Sequence, residues 1–564
     1  MTTLIKQVTE EFSVSGQLSA DDIEHMAARG IRSLMCNRPD GEANDQPNVT
    51  EIEMAAERHG MQLTYLPVVS GQITPDDIDK FLSCYERLQK PVHAYCRTGT
   101  RSVTLWAMYQ QRLGMPEGEI LRLTGEQGYD LGQALGTSEP PTAAESAIGS
   151  PHYDIVIVGG GAAGIAAAAS LLKRTHKLSV AIIEPADVHY YQPGWTLVGA
   201  GVFKQNQTVR TMASLIPAGA EWVQAAVGVF EPEQNRVLLE DSRPIYYDRL
   251  VVAPGIKLDW HAIDGLVETL GHNGVTSNYR FDLAPYTWQL VSQLKRGRAL
   301  FTQPPMPIKC AGAPQKAMYL SGDHWLRTGV LNDIEIGFHN AGEVLFGVAD
   351  YVPALMDYVE RYQAQLNFGQ RLVRIDGPAK TAWFESTGDN GETTVSEQSF
   401  DMIHVCPPQT APDFIRQSPL ADAAGWVDVD QNTLQHKRWQ NIWGLGDAMN
   451  APNAKTAAAA RMQAPVVANN LLHSLGLADA VTHYNGYGSC PLTVERGKIV
   501  LAEFGYGGKL LPSFPRWVIN GQKPSRLAWI LKEKVLPPIY WQAMLKGKEW
   551  MVESTRAASS SEAA

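Results

Sequence analysis

The sequence predicts an α/β protein: a small N-terminal α/β domain, then a larger half built on two doubly wound parallel sheets. Three features predict it. Residues 1–135 alternate short apolar runs, "IRSLMCN", "QLTYLPV" and "PVHAYC", with helical segments such as "NVTEIEMAAERHG" and "PDDIDKFLSCYERL", the pattern of a parallel sheet with crossover helices. Residues 136–151, "GTSEPPTAAESAIGSP", hold almost no large apolar side chain, as an exposed linker does. From residue 153 the chain reads "YDIVIVGGGAAGIAAAASLL", an apolar strand that runs into glycines and then into an alanine-rich helix.

At 564 residues the chain exceeds what one hydrophobic core organises. With 44% hydrophobic and 19% charged residues it has the composition of an ordinary globular protein. A net charge of −11 gives no basic field for a phosphate backbone, so nucleic acid is not an expected partner. The start, "MTTLIKQVTEEFSVSG", does not read as a secretory signal, and nowhere do ~20 apolar residues stand together to span a bilayer. A cytoplasmic protein is the expectation. Six cysteines without regular spacing, and neither CxxC nor HExxH, predict no metal site and leave redox or nucleophilic roles for the thiols.

Within the first part, "HAYCRTGTRS" follows an apolar run directly and separates Cys96 from Arg101 by four residues, with Gly99 between them. A cysteine phosphatase loop has five residues between cysteine and arginine, enough to wrap N–H groups and a guanidinium around a tetrahedral phosphate. One residue fewer gives a tighter cradle, which resembles that of rhodanese-type sulfurtransferases and so implies a persulfide on the cysteine. Arginine and loop amides favour the thiolate in either case. Asp40 and Glu42 of "RPDGE" are candidate acid/base groups or members of a solvated turn, and Cys36 and Cys84 read as core residues.

In the second part Gly159, Gly161 and Gly164 fit G-x-G-x-x-G: a tight turn, a close approach for a pyrophosphate, and close helix–strand packing. N–H groups at the helix start, around Ala162 and Ala163, face the phosphate charge. A second strand, "LSVAIIE", ends in Glu184, twenty residues past Gly164, where a carboxylate can accept from a ribose. Far downstream "QNIWGLGDAMN" supplies Gly446 and Asp447, a second flavoprotein signature, and the two together favour FAD over NAD. No second G-x-G-x-x-G stands between residues 290 and 350; after the strand-like "RALFTQPP" comes "IKCAGAPQKAMYLS", so the position that would cradle NADH holds Cys310.

Taken together, "HYYQPGWTLVGAG", "KCAGAPQKAMYL", "HVCPP", "KTAAA" and "GSCPLTVERGKIVLAEF" closely resemble sulfide:quinone oxidoreductases of the mitochondrial type, over residues 152–552. The resemblance implies two Rossmann-like domains and an FAD enzyme that oxidises sulfide, or a persulfide, to sulfane sulfur through two redox cysteines and reduces a membrane quinone. It places one cysteine at Cys310 and the other directly after the Gly-Asp signature, where this chain has Ala448. Cys406 is then the expected displaced partner, unless Cys310 acts alone or Cys406 is a buried hydrophobe; Cys490 reads as a packing residue. The resemblance further carries FAD contacts to Ala162, Ala163, Glu184, Gln192, Val227, Asp413 and Asp447.

Residues 1–135 resemble the phosphatase-like domain that accompanies bacterial beta-lactamase-type, sulfide-detoxifying hydrolases. That domain has a dual-specificity-phosphatase fold and is described as a sulfurtransferase, and the short Cys96 loop is similar to that of rhodaneses. The implied protein is bifunctional: sulfide oxidation at Cys310 and persulfide transfer on Cys96, with a low-molecular-weight thiol or sulfite as sulfur acceptor. A linker of about sixteen residues spans on the order of 20–25 Å and holds the two sites at an effective concentration near the millimolar range. Two alternatives stay open, a cysteine-dependent phosphatase fused to an oxidoreductase, and a redox sensor whose turnover ended at Ala448.

Near the C-terminus, "SRLAWILKEKVLPPIYWQAMLKGKEWM" interleaves Leu527, Trp529, Ile530, Tyr540, Trp541 and Leu545 with lysines around Pro537 and Pro538. Two short amphipathic helices over about 525–552, lying on the inner face of the cell membrane where quinone enters, are the expectation. Residues 553–564 read as a frayed tail.

Overall fold

A computed structural model describes residues 5–42, 46–69, 73–129, 131, 135, 151–388, 391–550, 552 and 555–556. The expected linker, apart from Pro151, and most of the expected tail lie outside the described residues. The chain forms two compact units: 1–153 with 225–248 and 413–419, and 154–224 with 249–412 and 420–564.

In the first unit a five-stranded sheet has the order Lys6–Thr9, Phe12–Ser15, Val92–Tyr95, Ser33–Cys36, Gln62–Tyr65. All neighbours are parallel except the Lys6–Thr9 and Phe12–Ser15 hairpin. Helices Val49–Arg58 and Pro75–Tyr85 fall where the alternation puts them, each opened by a side-chain cap, Asn48 and Thr74. Under Thr100–Arg112 the core is aromatic: Phe12 stacks on Trp106 at 5.6 Å and Phe81 on Tyr85 at 5.5 Å. The same unit includes the hairpin Val227–Glu231 and Arg236–Leu239, extended by Pro244–Tyr246. Phe414, in the short helix Asp413–Arg416, stacks on Phe230.

The second unit has two parallel sheets, as the sequence predicts. In one, Val180–Ile183 lies between Ile155–Val158 and Ala220–Val223, and Leu250–Val252 pairs with Ile442–Gly444. Helices Ala162–Arg174 and Ala457–Ser474 pack on each other. The other sheet has five strands, Val275–Thr276, Met402–His404, Gly297–Gln303, Ile334–Asn340 and Gln365–Phe368. Helix Ala313–Thr328 follows Gly297–Gln303 and is covered by the hairpin Gly488–Glu495 and Lys498–Phe504. That crossover turn carries Cys310, and the hairpin carries Cys490.

The C-terminal segment departs from the expected surface helices. It folds as Arg526–Ile530, a π-helical stretch Leu531–Val535, and Leu536–Gln542. Leu527 and Ile530 are exposed, but Trp529, Tyr540, Trp541 and Leu545 are buried. The Tyr540 hydroxyl lies 2.7 Å from His189 Nε2, so most of the expected membrane-facing rings pack into the unit instead.

Candidate functional site

The glycine turn is built to receive a dinucleotide. A methyl group at Gly159, where φ is +106°, would stand 2.5 Å from the Ala253 carbonyl oxygen, and one at Gly164 would stand 1.9 Å from that of Gly159. These two positions need glycine for the fold. At Gly161 a methyl group would meet nothing within 4 Å, so that glycine leaves room at the helix start, where a pyrophosphate approaches. Glu184 accepts from the Gly160 and Ala186 N–H groups at 2.8 and 2.9 Å, fixing the turn to the end of the second strand. Gly446, with φ +76°, packs its α-carbon against Ala163, where a methyl group would come within 2.9 Å of the Ala163 β-carbon. The two signatures therefore meet, and the residues fit FAD.

Gly161→Ala tests the cradle. Because the methyl group meets nothing within 4 Å, the variant is expected to fold with the wild-type far-UV circular dichroism but to purify without flavin absorbance. A variant that retains full flavin occupancy would show that the pyrophosphate does not approach there.

Cys310 sits just before the helix Ala313–Thr328, in a left-handed conformation with φ +50° that is uncommon for a side chain bearing a β-carbon. The turn is held by its N–H donating to the Lys455 carbonyl at 2.8 Å and by the Tyr279 hydroxyl donating to the Lys309 carbonyl at 3.1 Å. Across from it, Cys490 Sγ lies 4.0 Å from Cys310 Sγ. Gly312 makes that approach possible: a β-carbon there would stand 2.4 Å from Cys490 Sγ. Buried Lys316, one and a half turns along, donates to Cys310 Sγ at 3.0 Å.

The two thiols are electrostatically unequal. The Cys490 hydrogen bond, and then the charge and hydrogen bond of Lys316, outweigh burial and hold Cys310 well below the usual thiol range. Its hydrogen bond to Cys310, together with burial, pushes Cys490 well above it. Cys310 is thus a partly exposed thiolate and Cys490 a buried thiol that donates to it. Burial lowers two further lysines, Lys532 and Lys309, to about 8. Lys532 donates to the Pro193 carbonyl at 3.2 Å and Lys309 to Gln192 Oε1 at 2.6 Å, so Gln192 is placed beside the cysteine turn.

This corrects the expected pairing. The structure brings Cys490, not Cys406, into contact with Cys310. Cys406 is fully buried, its sulfur lies against Gln409 Nε2 at 3.7 Å and the Pro407 carbonyl, and burial pushes it up to about 12, the surroundings of an inert thiol. Ala448, read as the lost second cysteine, is a fully buried residue whose missing sulfur leaves the 310–490 pair intact. Asp447 is half-buried beside Lys455, which donates to its backbone carbonyl at 2.8 Å. Val227 and Asp413 belong to the first unit.

In the first unit Cys96 ends the strand Val92–Tyr95 and precedes the helix Thr100–Arg112. Its buried sulfur accepts from the Gly99 N–H at 3.1 Å, and Gly99 has φ +91°. Arg101 does not stand open: both Nη atoms donate to the two oxygens of Glu42, at 2.6 and 2.8 Å. Asp40 accepts from the Val49 N–H at 3.0 Å, at the start of the helix Val49–Arg58. Cys36 is buried and Cys84 half-buried, as core residues are.

Residues 153–290 match the family described as pyridine nucleotide-disulphide oxidoreductase, and residues 4–113 match the phosphatase-like domain of beta-lactamase hydrolase-like protein. The mitochondrial sulfide:quinone oxidoreductase of Dictyostelium discoideum is 44% identical over 406 residues, 71% of this chain and 87% of its own length. The chain belongs to the sulfide:quinone oxidoreductase family. The corresponding Mus musculus protein is 39% identical to this oxidoreductase over 396 residues, 70% of this chain and 87% of the relative. The solved Aquifex aeolicus sulfide:quinone oxidoreductase covers 73% of this chain and 98% of its own, with TM-score 0.59 and 17% identity, a likeness of fold. The oxidoreductase's N-terminal part is 34% identical over 132 residues to a beta-lactamase hydrolase-like protein of Xylella fastidiosa, 31% of that protein's length. The oxidoreductase is an FAD-binding flavoprotein with a phosphatase-like domain at its N-terminus.

Proposed function

We propose that the second unit oxidises sulfide to sulfane sulfur at the Cys310–Cys490 pair, with quinone as electron acceptor, and that the first unit carries the sulfane sulfur on Cys96. The observation that carries this reading is the pair itself: two sulfurs 4.0 Å apart, one of them 3.0 Å from a buried ammonium. The gap is about twice the ~2.05 Å of an S–S bond. A small movement closes it directly, and one added sulfur bridges it.

The unequal thiols set the direction of attack. In the oxidised pair Cys310 is the better leaving group, because its thiolate is the more stable. Hydrosulfide attacks the Cys490 sulfur, the Cys310–Cys490 bond breaks, a bond to the incoming sulfur forms, and Cys310 leaves as thiolate beside Lys316. An acceptor thiolate or sulfite then takes the outer sulfur and leaves both cysteines reduced. Re-forming their bond from the Cys310 thiolate and the Cys490 thiol releases two electrons and one proton. FAD, when bound, accepts the electron pair and passes it to quinone.

At Cys96 the transfer is redox-neutral: the thiolate attacks the outer sulfur of a persulfide, a new S–S bond forms, and the donor thiol departs. Incubating the holoenzyme with sulfide and a quinone analogue is expected to leave a persulfide on Cys96, read by mass after alkylation. Quinone reduction with no sulfur on Cys96 would end the relay half of the proposal.

Quinone approach is assigned to a groove of about 670 Å³ lined by Tyr191, Phe203, Arg210, Pro537, Pro538 and Trp541. No helix among the described residues is long and apolar enough to cross a membrane. Peripheral docking at the inner face of the cell membrane instead rests on exposed apolar side chains, Trp517 at 87%, Leu527 at 52% and Ile530 at 50%. Replacing both Leu527 and Ile530 by glutamate removes apolar contact without touching the buried rings, and is expected to weaken vesicle co-sedimentation roughly ten-fold or more. Undiminished co-sedimentation would rule out this face.

A further inference from the structure

The charge arrangement around Cys96 deepens the sulfur-carrier reading and rests on it: it bears on which substrates the cradle admits. An oxyanion cradle works when a guanidinium fork and loop N–H groups are left open for the anion. Here the fork of Arg101 is closed by Glu42, oxygen for nitrogen, and its Nη1 also donates to the Val68 carbonyl at 3.0 Å. Glu42 is itself held by Arg38 Nε at 2.9 Å, and Arg38 Nη1 donates to Gln17 Oε1 at 2.9 Å. Burial alone would raise the Glu42 carboxyl, but Arg101 and Arg38 outweigh it and keep Glu42 ionised. Two of the loop's N–H groups are also committed, Gly99 to the cysteine sulfur at 3.1 Å and Cys96 to the Ser15 carbonyl at 3.4 Å.

A second carboxylate reaches the same cluster. Glu240, from the hairpin segment of the first unit, has Oε1 at 3.9 Å from both Arg101 Nη2 and Arg97 Nη1. Its side chain is 8% exposed, and Oε2 is buried with no hydrogen-bond partner among the described residues. Arg38, Arg97 and Arg101 are therefore faced by Glu42, Glu240 and the Cys96 sulfur. Burial pushes the Glu240 carboxyl above the usual carboxylate range, with the Arg101 and Arg97 charges acting against it.

We infer that Glu42, seconded by Glu240, is a specificity-determining residue that closes the Cys96 cradle to phosphate dianions and leaves it open to neutral or singly charged sulfane-sulfur donors. A dianion would have to displace a half-buried bidentate carboxylate and then lie beside a second carboxyl group, whereas a hydropersulfide needs only access to the sulfur.

The test uses the full-length holoenzyme with inorganic phosphate as ligand and an aryl phosphate as substrate. Quinone reduction by the second unit reports that each variant is folded. Wild type is expected to show no saturable phosphate binding in the millimolar range and no Cys96-dependent phosphate release. Glu42→Gln keeps the shape but frees the Arg101 charge, and is expected to bind phosphate on the order of ten-fold or more tighter. Glu240→Gln, which breaks no hydrogen bond, is expected to shift affinity in the same direction by less. Cys96-dependent phosphate release by wild type, or unchanged phosphate affinity in both variants, overturns the inference. Absence of sulfur from Cys96 in protein that shows the expected phosphate pattern would instead overturn the sulfur-carrier reading and leave the charge exclusion standing.

Discussion

Cys490→Ser is expected to lower sulfide-dependent quinone reduction about 10³-fold or more, and Cys310→Ser to do the same, because each removes one of the two sulfurs between which the proposed redox bond forms. Cys406→Ser is expected to stay close to wild type in turnover. The contrast rests on placement: Cys490 lies 4.0 Å from Cys310, while the Cys406 sulfur is enclosed against Gln409 and Pro407. All three variants retain a side chain of similar size, so flavin content and melting temperature serve as controls. Loss of activity in Cys406→Ser with an unaffected Cys490→Ser would reverse the assignment.

The second large effect is expected for Lys316→Met. The buried ammonium 3.0 Å from Cys310 Sγ is one of the groups that keep this cysteine ionised at neutral pH. A group whose acidity is raised by a neighbour is ionised above its lowered pKa, so removing the neighbour moves the acid limb of the rate profile to higher pH. Activity at neutral pH should fall about ten-fold for each unit that the limb moves, and return as the pH rises. Lys532 and Lys309 set the other limb. Burial lowers both to about 8, so the positive surroundings of the sulfur pair are complete below that pH and are lost above it. A uniform loss across the whole pH range in Lys316→Met would make the lysine a packing element only.

Much of this architecture was legible because it is written in local patterns. Strand, glycine turn and alanine-rich helix are contiguous from residue 153, and short β-runs alternate with capped helices before residue 136. The hairpin Lys6–Thr9 with Phe12–Ser15 was not legible: its strands are four residues long and only Val8 is buried in the first. The place of Cys490 beside Cys310 was not legible for a different reason. In the strand Gly488–Glu495 it alternates like any small hydrophobe, and no spacing rule links it to a turn 180 residues earlier. The readable signal was indirect, namely the glycine at 312 that leaves space for a sulfur. Nothing local marks Lys532 among the lysines of its segment, yet the π-helical stretch turns it inward to the Pro193 carbonyl. Glu42 was visible as a charged residue in "RPDGE", but its bidentate hold on Arg101 depends on a contact across 59 residues.

The most direct measurement is peptide mapping, without reductant, of holoenzyme oxidised by quinone after sulfide turnover. Free thiols are alkylated before digestion. The peptides containing Cys310 and Cys490 should appear joined, by one S–S bond or through an added sulfur, with Cys406 alkylated. Recovery of Cys310 joined to Cys406, or of both Cys310 and Cys490 as alkylated monomers in protein that still reduces quinone, would contradict the pair on which the proposed oxidation depends.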